Sequence, residues 1–325
     1  MSNSKKIRAA VVGVGYLGRF HAEKYADLPG AELVGVVDTN HEQAGAVAEK
    51  TGTSAYTDYT ELSGRVDAVS IAVPTPLHYE IAKYFLEAGV DVLIEKPITR
   101  SVQEADELID IAEKNGRIIQ VGHLERFNPA VVAVRDFVEK PFFIECNRLS
   151  LYQPRGTDVS VVHDLMIHDI DLILNFVKSK IKNCHAMGAP VVTQMVDIAN
   201  ARLEFESGAV ANVTASRISS KTERKIRIFQ KDGYFSMDFA NRSITRIRPG
   251  SGEQQDCPVP GMKIETESFA KADALAGEIK SFIAAAAERK EPEVSGKMGR
   301  DALEIAVDII RQTGEAMQRL DGAVK

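Results

Sequence analysis

Three side chains with acid–base chemistry recur at a helical spacing in the middle of the chain. Asp164, His168 and Asp171 stand at positions i, i+4 and i+7, which places them on one face of a predicted helix from about Val161 to Val177. A histidine takes a proton from a hydroxyl near neutral pH, and a neighbouring carboxylate fixes the orientation of its ring. The spacing also suits a metal site or a salt-bridged, solvated acidic face, so catalysis, metal binding and charge pairing all stay open at this point.

A lysine forms the second candidate. Lys96 follows the apolar run Val92-Leu93-Ile94, which is typical of a parallel strand, and stands between Glu95 and Pro97. Ligands of open α/β sheets bind at the carboxyl ends of the strands, and a partly desolvated lysine there acts as an acid or a base. Glu95 would orient the lysine and Pro97 would fix the turn. The alternative is an ordinary surface lysine on a loop.

Glycines at a characteristic spacing precede both candidates. The apolar run Ile7 to Val12 predicts a buried strand, and Gly13, Gly15 and Gly18 follow it as G-x-G-x-x-G. The first glycine permits the tight turn, the second lets the backbone approach a pyrophosphate, and the third lets helix and strand pack closely. The helix that begins there points N–H groups at the phosphates. This pattern predicts a dinucleotide site.

A carboxylate follows at the expected distance. The second apolar strand, Glu32 to Val37, ends at Asp38, 20 residues after Gly18, where a carboxylate meets the adenosine ribose hydroxyls. This carboxylate would repel a 2′-phosphate, and Thr39 and Asn40 supply no arginine to receive one. We therefore expect NAD rather than NADP.

The order of the predicted elements indicates an α/β protein with two domains. From Ile7 to about Val121, strands alternate with helices, the signature of a Rossmann domain with a doubly wound parallel sheet. Beyond Gly122, strands follow one another and predict an α+β domain with an open, mostly antiparallel sheet. The segment Pro249 to Thr266 is predicted to be a loop. We expect an NAD-binding domain over residues 1–122 and a substrate-binding and oligomerisation domain over residues 123–325.

Composition excludes several classes of protein. The chain has 325 residues, a net charge of −6 and no clustered basic face, which argues against nucleic acid as a partner. It lacks a signal peptide and an apolar run long enough to span a bilayer, so we expect a cytoplasmic protein without a membrane partner. Its three cysteines are far apart and lack metal spacing, which indicates reduced thiols.

Four further polar residues are weaker candidates. His21 follows the glycine turn by one helical turn and is as suited to packing as to binding. His78 also suits a helix cap. Arg126 and Asn128 stand just after the first predicted domain, near the expected crevice, and the alternative is linker polarity.

Together the motifs resemble the Gfo/Idh/MocA family of oxidoreductases. The residues that carry the resemblance are Gly13 to Gly18 with His21, Pro74 to His78, Glu95-Lys96-Pro97, Gly122 to Phe127, and Asp164 with His168 and Asp171. The resemblance implies a dinucleotide-binding domain followed by an open-sheet domain through which the protein forms a homodimer or homotetramer. It implies that the catalytic residues are Lys96, His168 and Asp164. It implies cofactor contacts from Gly13, Gly15, Tyr16, Leu17, Gly18, Asp38, Pro74, Thr75, His78, Glu95 and Lys96.

Within the family, two stretches look most like the branch that acts on nucleotide sugars. These are Glu125 to Pro129 and Leu165 to Asp171, and the stretch from Tyr152 to Asp158 looks like the form that supplies 3-amino-sugar precursors for lipid A. The implied reaction is NAD-dependent oxidation of a secondary hydroxyl, at C3 of UDP-N-acetylglucosamine. The implied substrate contacts are Arg126, Asn128, Tyr152, Arg155 and Asp171. No metal cofactor is expected.

Several alternatives remain open at this stage. Another polyol or sugar, such as an inositol, glucose or a dihydrodiol, would suit the same family. A non-catalytic NAD-sensing regulator would keep the fold, although it has no need of Lys96, Asp164 and His168 together. Metal-dependent hydrolysis by the Asp/His helix is the third. The sequence leaves open whether Lys96 or His168 is the base.

Overall fold

The computed structural model describes residues 6–154, 159–250 and 260–323, with the side chains of 320–323 excepted. Contacts divide them into two compact units. The first runs to Phe127 and includes Asp273–Leu303; the second comprises Asn128–Ala272 and the residues from Glu304 onward. This division differs from the single boundary expected after residue 122, because a segment near the C-terminus packs with the N-terminal part of the chain.

The first unit is built on a six-stranded parallel sheet. The order of the strands is β3-β2-β1-β4-β5-β6, and every neighbouring pair is parallel. The expected doubly wound sheet is confirmed. The strands are β1 (Ile7–Val12), β2 (Ala31–Val37), β3 (Ala55–Tyr56), β4 (Ala68–Ile71), β5 (Asp91–Glu95) and β6 (Ile119–Gly122).

Helices connect these strands and cover both faces of the sheet. They are α1 (Gly18–Asp27), α2 (His41–Thr51), α3 (His78–Glu87) and α4 (Val102–Asn115). Their ends follow local chemistry: the side chain of Asn40 accepts from two backbone N–H groups of α2, and the hydroxyl of Ser101 accepts from Glu104 N at 3.2 Å, as expected for a capping residue. After α3, Gly89 adopts φ +80°, the left-handed conformation that glycine allows.

The second unit contains an eight-stranded sheet of order β14-β13-β12-β11-β7-β10-β9-β8. Only the β7–β10 pair is parallel, which confirms a mostly antiparallel sheet. The strands are β7 (Pro141–Leu149), β8 (Ile181–Ala189), β9 (Ile198–Phe205), β10 (Val210–Ser216), β11 (Glu223–Gln230), β12 (Gly233–Asp238), β13 (Ser243–Pro249) and β14 (Met262–Ser268).

Strand β14 corrects the last part of the expected loop from Pro249 to Thr266, and residues 251–259 of that stretch lie outside the described residues. The strand pairs with β13 in an antiparallel register, and its outward charges explain why apolar alternation did not reveal it. Glu265 lies across from Arg246 of β13, at 3.7 Å, and two diagonal contacts adjoin this pair: Arg248 with Glu265 at 2.8 Å and Arg246 with Glu267 at 3.1 Å. Opposite charges facing each other across a ladder stabilise an edge strand without a buried face.

The described residues form four more α-helices. They are α5 (Pro129–Val134), α6 (Ile167–Val177), α7 (Ala274–Glu288) and α8 (Gly296–Ala323). Among the described residues, none of the helices combines the length and the apolar character needed to cross a membrane. Of the cysteines, Cys146 is buried and Cys184 half-buried, and both are unbridged, whereas Cys257 lies outside the described residues.

Candidate dinucleotide site and acid–base residues

Two glycines of the loop after β1 are required by the fold itself. Gly13 adopts φ +82°, and a Cβ there would lie 2.6 Å from Val73 Cγ1 and 2.8 Å from the carbonyl oxygen of Ala72. A Cβ on Gly18 would overlap the carbonyl group of Gly13. The backbone turn and the close approach of α1 to the sheet therefore account for both glycines, as the spacing predicted.

The middle glycine differs. A Cβ on Gly15 would find no protein atom nearer than Gln43 Nε2, at 3.9 Å, and its backbone does not need a positive φ. Packing therefore gives no reason for glycine at this position. The open space above the backbone fits a group that comes from outside the chain, and a pyrophosphate approaching the N-terminus of α1 is such a group.

Asp38 ties the end of β2 to the glycine loop. Its two oxygens accept hydrogen bonds from Val14 N at 3.0 Å and from Asn40 N at 2.9 Å, and its side chain is half-buried. Gln43 supports the same loop by donating from Nε2 to the carbonyl oxygen of Val14 at 2.6 Å. The carboxylate thus lies beside the glycine loop, where the spacing predicted contact with a ribose.

Exposed aromatic and aliphatic side chains border the glycine loop. Tyr16 is 65% exposed and Leu17 is 48% exposed. The guanidinium of Arg19 stacks over the rings of Tyr16, at 5.3 Å, and Phe20, at 4.7 Å. These side chains are accessible to a ligand at the loop, which fits the contacts expected of Tyr16 and Leu17.

His78 connects the loops that follow β4 and β5. Its ring nitrogens lie 2.9 Å from the carbonyl oxygens of Val73 and Pro97, and its side chain is buried. Burial lowers the pKa of His78, against the opposite effect of its two contacts with carbonyl oxygens. Pro74 begins the connection and Thr75 opens a short 3₁₀-helix that leads into α3. In this structure His78 holds the loops in place.

Glu95 is the last residue of β5 and directly precedes Lys96. Glu95 Oε1 lies 3.0 Å from His21 Nε2, and Glu95 Oε2 accepts from the backbone N–H of Lys96 at 3.3 Å. Burial alone would raise the pKa of Glu95, but the hydrogen bond from His21 and the charge of Lys96 bring it below its usual value. Lys96 therefore has an ionised carboxylate as its neighbour. The peptide bond between Lys96 and Pro97 is cis.

The weaker candidates Arg126, in the first unit, and Asn128, in the second, have structural contacts. Arg126 is buried within the 3₁₀-helix Leu124–Phe127. Asn128 caps α5, its side-chain oxygen accepting from Ala130 N at 3.1 Å. Capping explains an asparagine at this position without a ligand.

In the second unit the expected continuous helix from Val161 to Val177 is interrupted. Residues Val162–Met166 form a π-helix and α6 begins only at Ile167, so the α-helical spacing does not run unbroken from Asp164 to His168. Asp164 and His168 are half-buried, whereas Asp171 is buried. A π-turn changes which side chains share a face and is frequent at functional sites. Sequence periodicity does not reveal such a turn.

The sequence reasoning missed a buried ion pair next to His168. Arg148 of β7 donates from Nε and Nη2 to the two oxygens of Asp169, at 2.9 and 2.8 Å, and both side chains are about 5% exposed or less. The signal was present in the sequence, because Arg148 occupies an inward position of an alternating strand and an inward arginine needs a partner. The pair anchors the start of α6 on the sheet.

Of the remaining predicted contacts, Tyr152 is 46% exposed and Arg155 lies outside the described residues. Among the described residues, the group of histidine and carboxylate atoms close enough together to hold a metal is His21, Glu95 and Glu278, whose atoms lie within 4.8 Å of one another. It does not include Asp164, His168 or Asp171. His21 and Glu95 are already hydrogen-bonded to each other.

Comparison with known proteins covers both units. Residues 7–123 match the family model GFO_IDH_MocA, described as an oxidoreductase family with an NAD-binding Rossmann fold, and residues 145–236 match the GFO/IDH/MocA C-terminal domain. UDP-N-acetylglucosamine 3-dehydrogenase of Acidithiobacillus ferrooxidans is 39% identical over 304 residues, which cover 93% of this chain and 96% of that protein.

A solved structure of that dehydrogenase superposes with a TM-score of 0.89 at 38% identity, covering 95% of this chain and 97% of that chain. An inositol 2-dehydrogenase of Rubrobacter xylanophilus is 35% identical over 196 residues, or 57% of this chain and 56% of that protein. The two family models place Lys96 in the first matched region and His168 in the second.

Proposed function

Because this chain belongs to the Gfo/Idh/MocA family of NAD-dependent oxidoreductases, we propose that it oxidises C3 of UDP-N-acetylglucosamine to the ketone. The chain is an NAD-dependent dehydrogenase that acts on the CH–OH group of a sugar or sugar nucleotide. The observation that carries the finer proposal is the end-to-end similarity to a relative that bears this activity in its name.

The residues of the first unit fit NAD. The open space at Gly15 leaves room for a pyrophosphate, and Asp38 offers a carboxylate to the ribose hydroxyls while repelling a 2′-phosphate. Bound NAD supplies the acceptor for the hydride that leaves C3. We assign NAD to the first unit and the sugar nucleotide to the second.

The chain itself must take the proton of the hydroxyl. As the C–H bond of C3 breaks, its electron pair leaves with the hydride, and the O–H bond gives up its proton while the C=O bond forms. Lys96 or His168 receives that proton, and Asp164 orients the base. The ionised Glu95 next to Lys96 supports the lysine, because a fixed anion holds an ammonium group in place after it has accepted the proton. Arg126, Asn128, Tyr152, Arg155 and Asp171 remain predicted substrate contacts.

NADH formation tests the substrate. The purified chain is incubated with NAD and UDP-N-acetylglucosamine, with and without a carbonyl trap that removes the ketone. We expect NADH only when sugar nucleotide is present, more with the trap, and none with UDP-glucose. A panel arm with myo-inositol tests the alternative raised by the inositol 2-dehydrogenase relative. NADH from inositol and none from UDP-N-acetylglucosamine would replace the proposed substrate.

Two substitutions test the acid–base assignment. Lys96→Met and His168→Ala should each lower kcat by about 10²–10⁴-fold while changing NAD affinity little, as expected for loss of a general base. Lys114→Met and His41→Ala, at exposed positions, are the matched controls and should retain full activity. Unchanged turnover in both Lys96→Met and His168→Ala would refute the assignment. An effect in one alone would identify the base.

We propose further that the chain assembles into a homodimer or homotetramer through its second sheet. Phe143, Phe229 and Tyr234 form an aromatic row across β7, β11 and β12, with ring centroids 5.8 and 5.1 Å apart, and Phe229 is 37% exposed. An exposed aromatic row on a sheet face supports an interface. Light scattering that shows a dimer or tetramer, reduced to a monomer by Phe229→Lys, is the expected result; a monomeric wild type would refute it.

A further inference from the structure

The residue between the first two glycines of the loop is held at both of its backbone groups by side chains. Val14 N–H donates to Asp38 Oδ2 at 3.0 Å, and the carbonyl oxygen of Val14 accepts from Gln43 Nε2 at 2.6 Å. Asp38 directly follows β2, and Gln43 lies in the first turn of α2. The glycine spacing predicts the carboxylate of Asp38, whereas no sequence motif points to Gln43.

A glutamine at this position of a helix usually serves the helix itself. Asn40 is the N-cap of α2, and its side chain accepts from the backbone N–H groups of Glu42 and Gln43. A glutamine at the third helical position commonly completes such a cap by accepting from the backbone N–H of the capping residue. Here Asp38 Oδ1 already accepts from Asn40 N at 2.9 Å. The cap is therefore satisfied without the side chain of Gln43, which donates to the glycine loop instead.

The bond from Gln43 fixes the orientation of the peptide group between Val14 and Gly15. In a planar, trans peptide group the carbonyl and the N–H point in opposite directions, so holding the carbonyl of Val14 also fixes the direction of Gly15 N–H. The side chain of Val14 is buried, and the carbonyl oxygen of Gly15 accepts from Arg19 N at 3.3 Å. These contacts hold the backbone on both sides of the peptide group.

The held peptide group borders the open space at Gly15. Within the described part of the chain, Gly15 N–H has no hydrogen-bond acceptor. The protein atom nearest to a Cβ on Gly15 would be Gln43 Nε2 itself, at 3.9 Å, so the glutamine lies beside the open space without filling it. A backbone that is ordered before a phosphate arrives binds it more tightly, because no further ordering has to accompany binding.

We propose that Gln43 is a positioning residue for the cofactor: its amide holds the Val14–Gly15 peptide group in the orientation that receives the pyrophosphate of NAD. The inference rests on the placement of the pyrophosphate at Gly15 proposed above. Asp38 and Gln43 both hold Val14, but Asp38 also offers a carboxylate to the ribose. Substitution of Gln43 therefore isolates the effect on the pyrophosphate.

Ligands with and without phosphate test this role. Gln43→Met keeps the length of the side chain and removes the N–H donor. We expect its Kd for NAD and for ADP-ribose to rise about tenfold, as for the loss of one hydrogen bond, while its Kd for adenosine, which has the ribose but no phosphate, stays within about twofold. Calorimetric titration measures the first two constants and NMR titration the third. Gln103→Met, the same change at an exposed position in the first turn of α4, is the matched control and should bind NAD like the wild type.

A double substitution tests whether Gln43 acts at Gly15. The methyl group of Gly15→Ala occupies the space beside the peptide group, and once it displaces the phosphate, the orientation of that peptide group has little effect. Adding Gln43→Met to Gly15→Ala should therefore raise the Kd for NAD by less than about threefold. Independent effects would instead multiply, and the added change would be the full tenfold.

A further readout needs no ligand. ¹⁵N relaxation of the deuterated full chain reports the order of the Gly15 amide, whose signal is assigned by its loss in Gly15→Ala. In the wild type we expect an order parameter of about 0.85, the value of rigid backbone, and in Gln43→Met a value below about 0.6. Thermal unfolding of the NAD-free proteins checks that each variant is folded.

Specific results would overturn the proposal. Unchanged NAD binding by Gln43→Met would mean that the loop does not need this bond, and an equal loss for adenosine and ADP-ribose would mean that Gln43 acts on the ribose end or on folding. A rigid Gly15 amide in a Gln43→Met protein that binds NAD weakly would mean that the glutamine contacts the cofactor directly. A full tenfold effect added to that of Gly15→Ala would place the action of Gln43 elsewhere. If UDP-N-acetylglucosamine is not oxidised, the proposed substrate fails while these measurements, which use no sugar nucleotide, still decide the role of Gln43.

Discussion

Replacing Gly15 with alanine separates the needs of the fold from the needs of the cofactor. The added Cβ would lie 3.9 Å from its nearest protein neighbour, Gln43 Nε2, and the backbone at Gly15 does not require a positive φ. The folded chain therefore accommodates the methyl group without moving. Alanine also reduces the freedom of the unfolded chain, so we expect the free energy of unfolding to stay unchanged or to rise by about 0.4–1 kcal/mol.

The same methyl group occupies the space that a pyrophosphate needs. If the phosphate oxygens bond to the backbone N–H groups at the start of α1, pushing them outward removes at least one hydrogen bond to a charged group. Such a bond contributes about 1.5–3 kcal/mol, which corresponds to an increase in the Kd for NAD of about 10- to 100-fold. Calorimetric titration with NAD measures the affinity, and thermal unfolding of the NAD-free protein measures the stability.

Two other glycines make the comparison sharp. Gly45→Ala, within α2 and with no atom within 4 Å of the added Cβ, should bind NAD like the wild type. Gly18→Ala, whose Cβ would overlap the carbonyl of Gly13, should destabilise the first unit itself. If Gly15→Ala binds NAD within twofold of the wild type while folding normally, the loop does not hold the pyrophosphate at Gly15 and the reasoning is wrong.

Two further substitutions test charges that the structure places. Asp38→Ala should weaken NAD binding about tenfold and narrow the preference for NAD over NADP, because it removes one hydrogen-bonded carboxylate. Parallel titrations with both cofactors measure the two affinities. An unchanged preference for NAD would contradict the prediction. Asp197 is buried, and although burial acts to raise its pKa, backbone N–H groups of Thr193, Val192 and Val191 lower it to about 2. A depressed pKa stabilises the fold above pH 4, here by about 2 kcal/mol, and the gain disappears as the pH falls towards 2. Urea unfolding at pH 7 and pH 3 should show the difference between wild type and Asp197→Asn shrinking at pH 3; an equal difference at both would refute the attribution.

Local patterns were sufficient for most of the first unit. The apolar strand, the glycine spacing and the strand-end carboxylate are adjacent in sequence and in space, since Asp38 accepts from Val14 N within the same β1–α1–β2 segment. The parallel sheet followed from alternation of strands and helices. In these cases the residues whose pattern predicts a structural element are also the residues that form that element.

Long-range contacts set the features that the sequence did not reveal. Strand β14 depends on charge pairs with β13, and the π-turn at Val162–Met166 has no periodic signature. In the sequence alone, Asp169 looks like one more acidic side chain of a helix, because its partner Arg148 lies on a strand that is distant in sequence. Glu278 likewise follows an ordinary helical pattern. Its burial comes from packing that no window of sequence contains.

The segment around α7 shows why the order of elements along the chain predicted a single boundary after residue 122, whereas the first unit also includes Asp273–Leu303. Ile279, Phe282 and Ile283 recur at i, i+3 and i+4 on one face of α7, and all three join the core cluster that contains Ala9 of β1 and Tyr25 of α1. Fully burying three such side chains contributes on the order of 5 to 9 kcal/mol. The amphipathic pattern was visible in the sequence, but it does not indicate which sheet the helix packs against, because every sheet offers an apolar face to such a helix.

That placement has a chemical consequence for the first unit. The helical turn that buries Ile279 and Phe282 also carries Glu278 inward, opposite the end of β5. Burial raises the pKa of Glu278 well above its usual value, and the charge of Glu95 raises it further. The packing that stabilises the first unit thus also raises the pKa of Glu278, whose carboxyl group lies within 4.8 Å of the ligand atoms of His21 and Glu95.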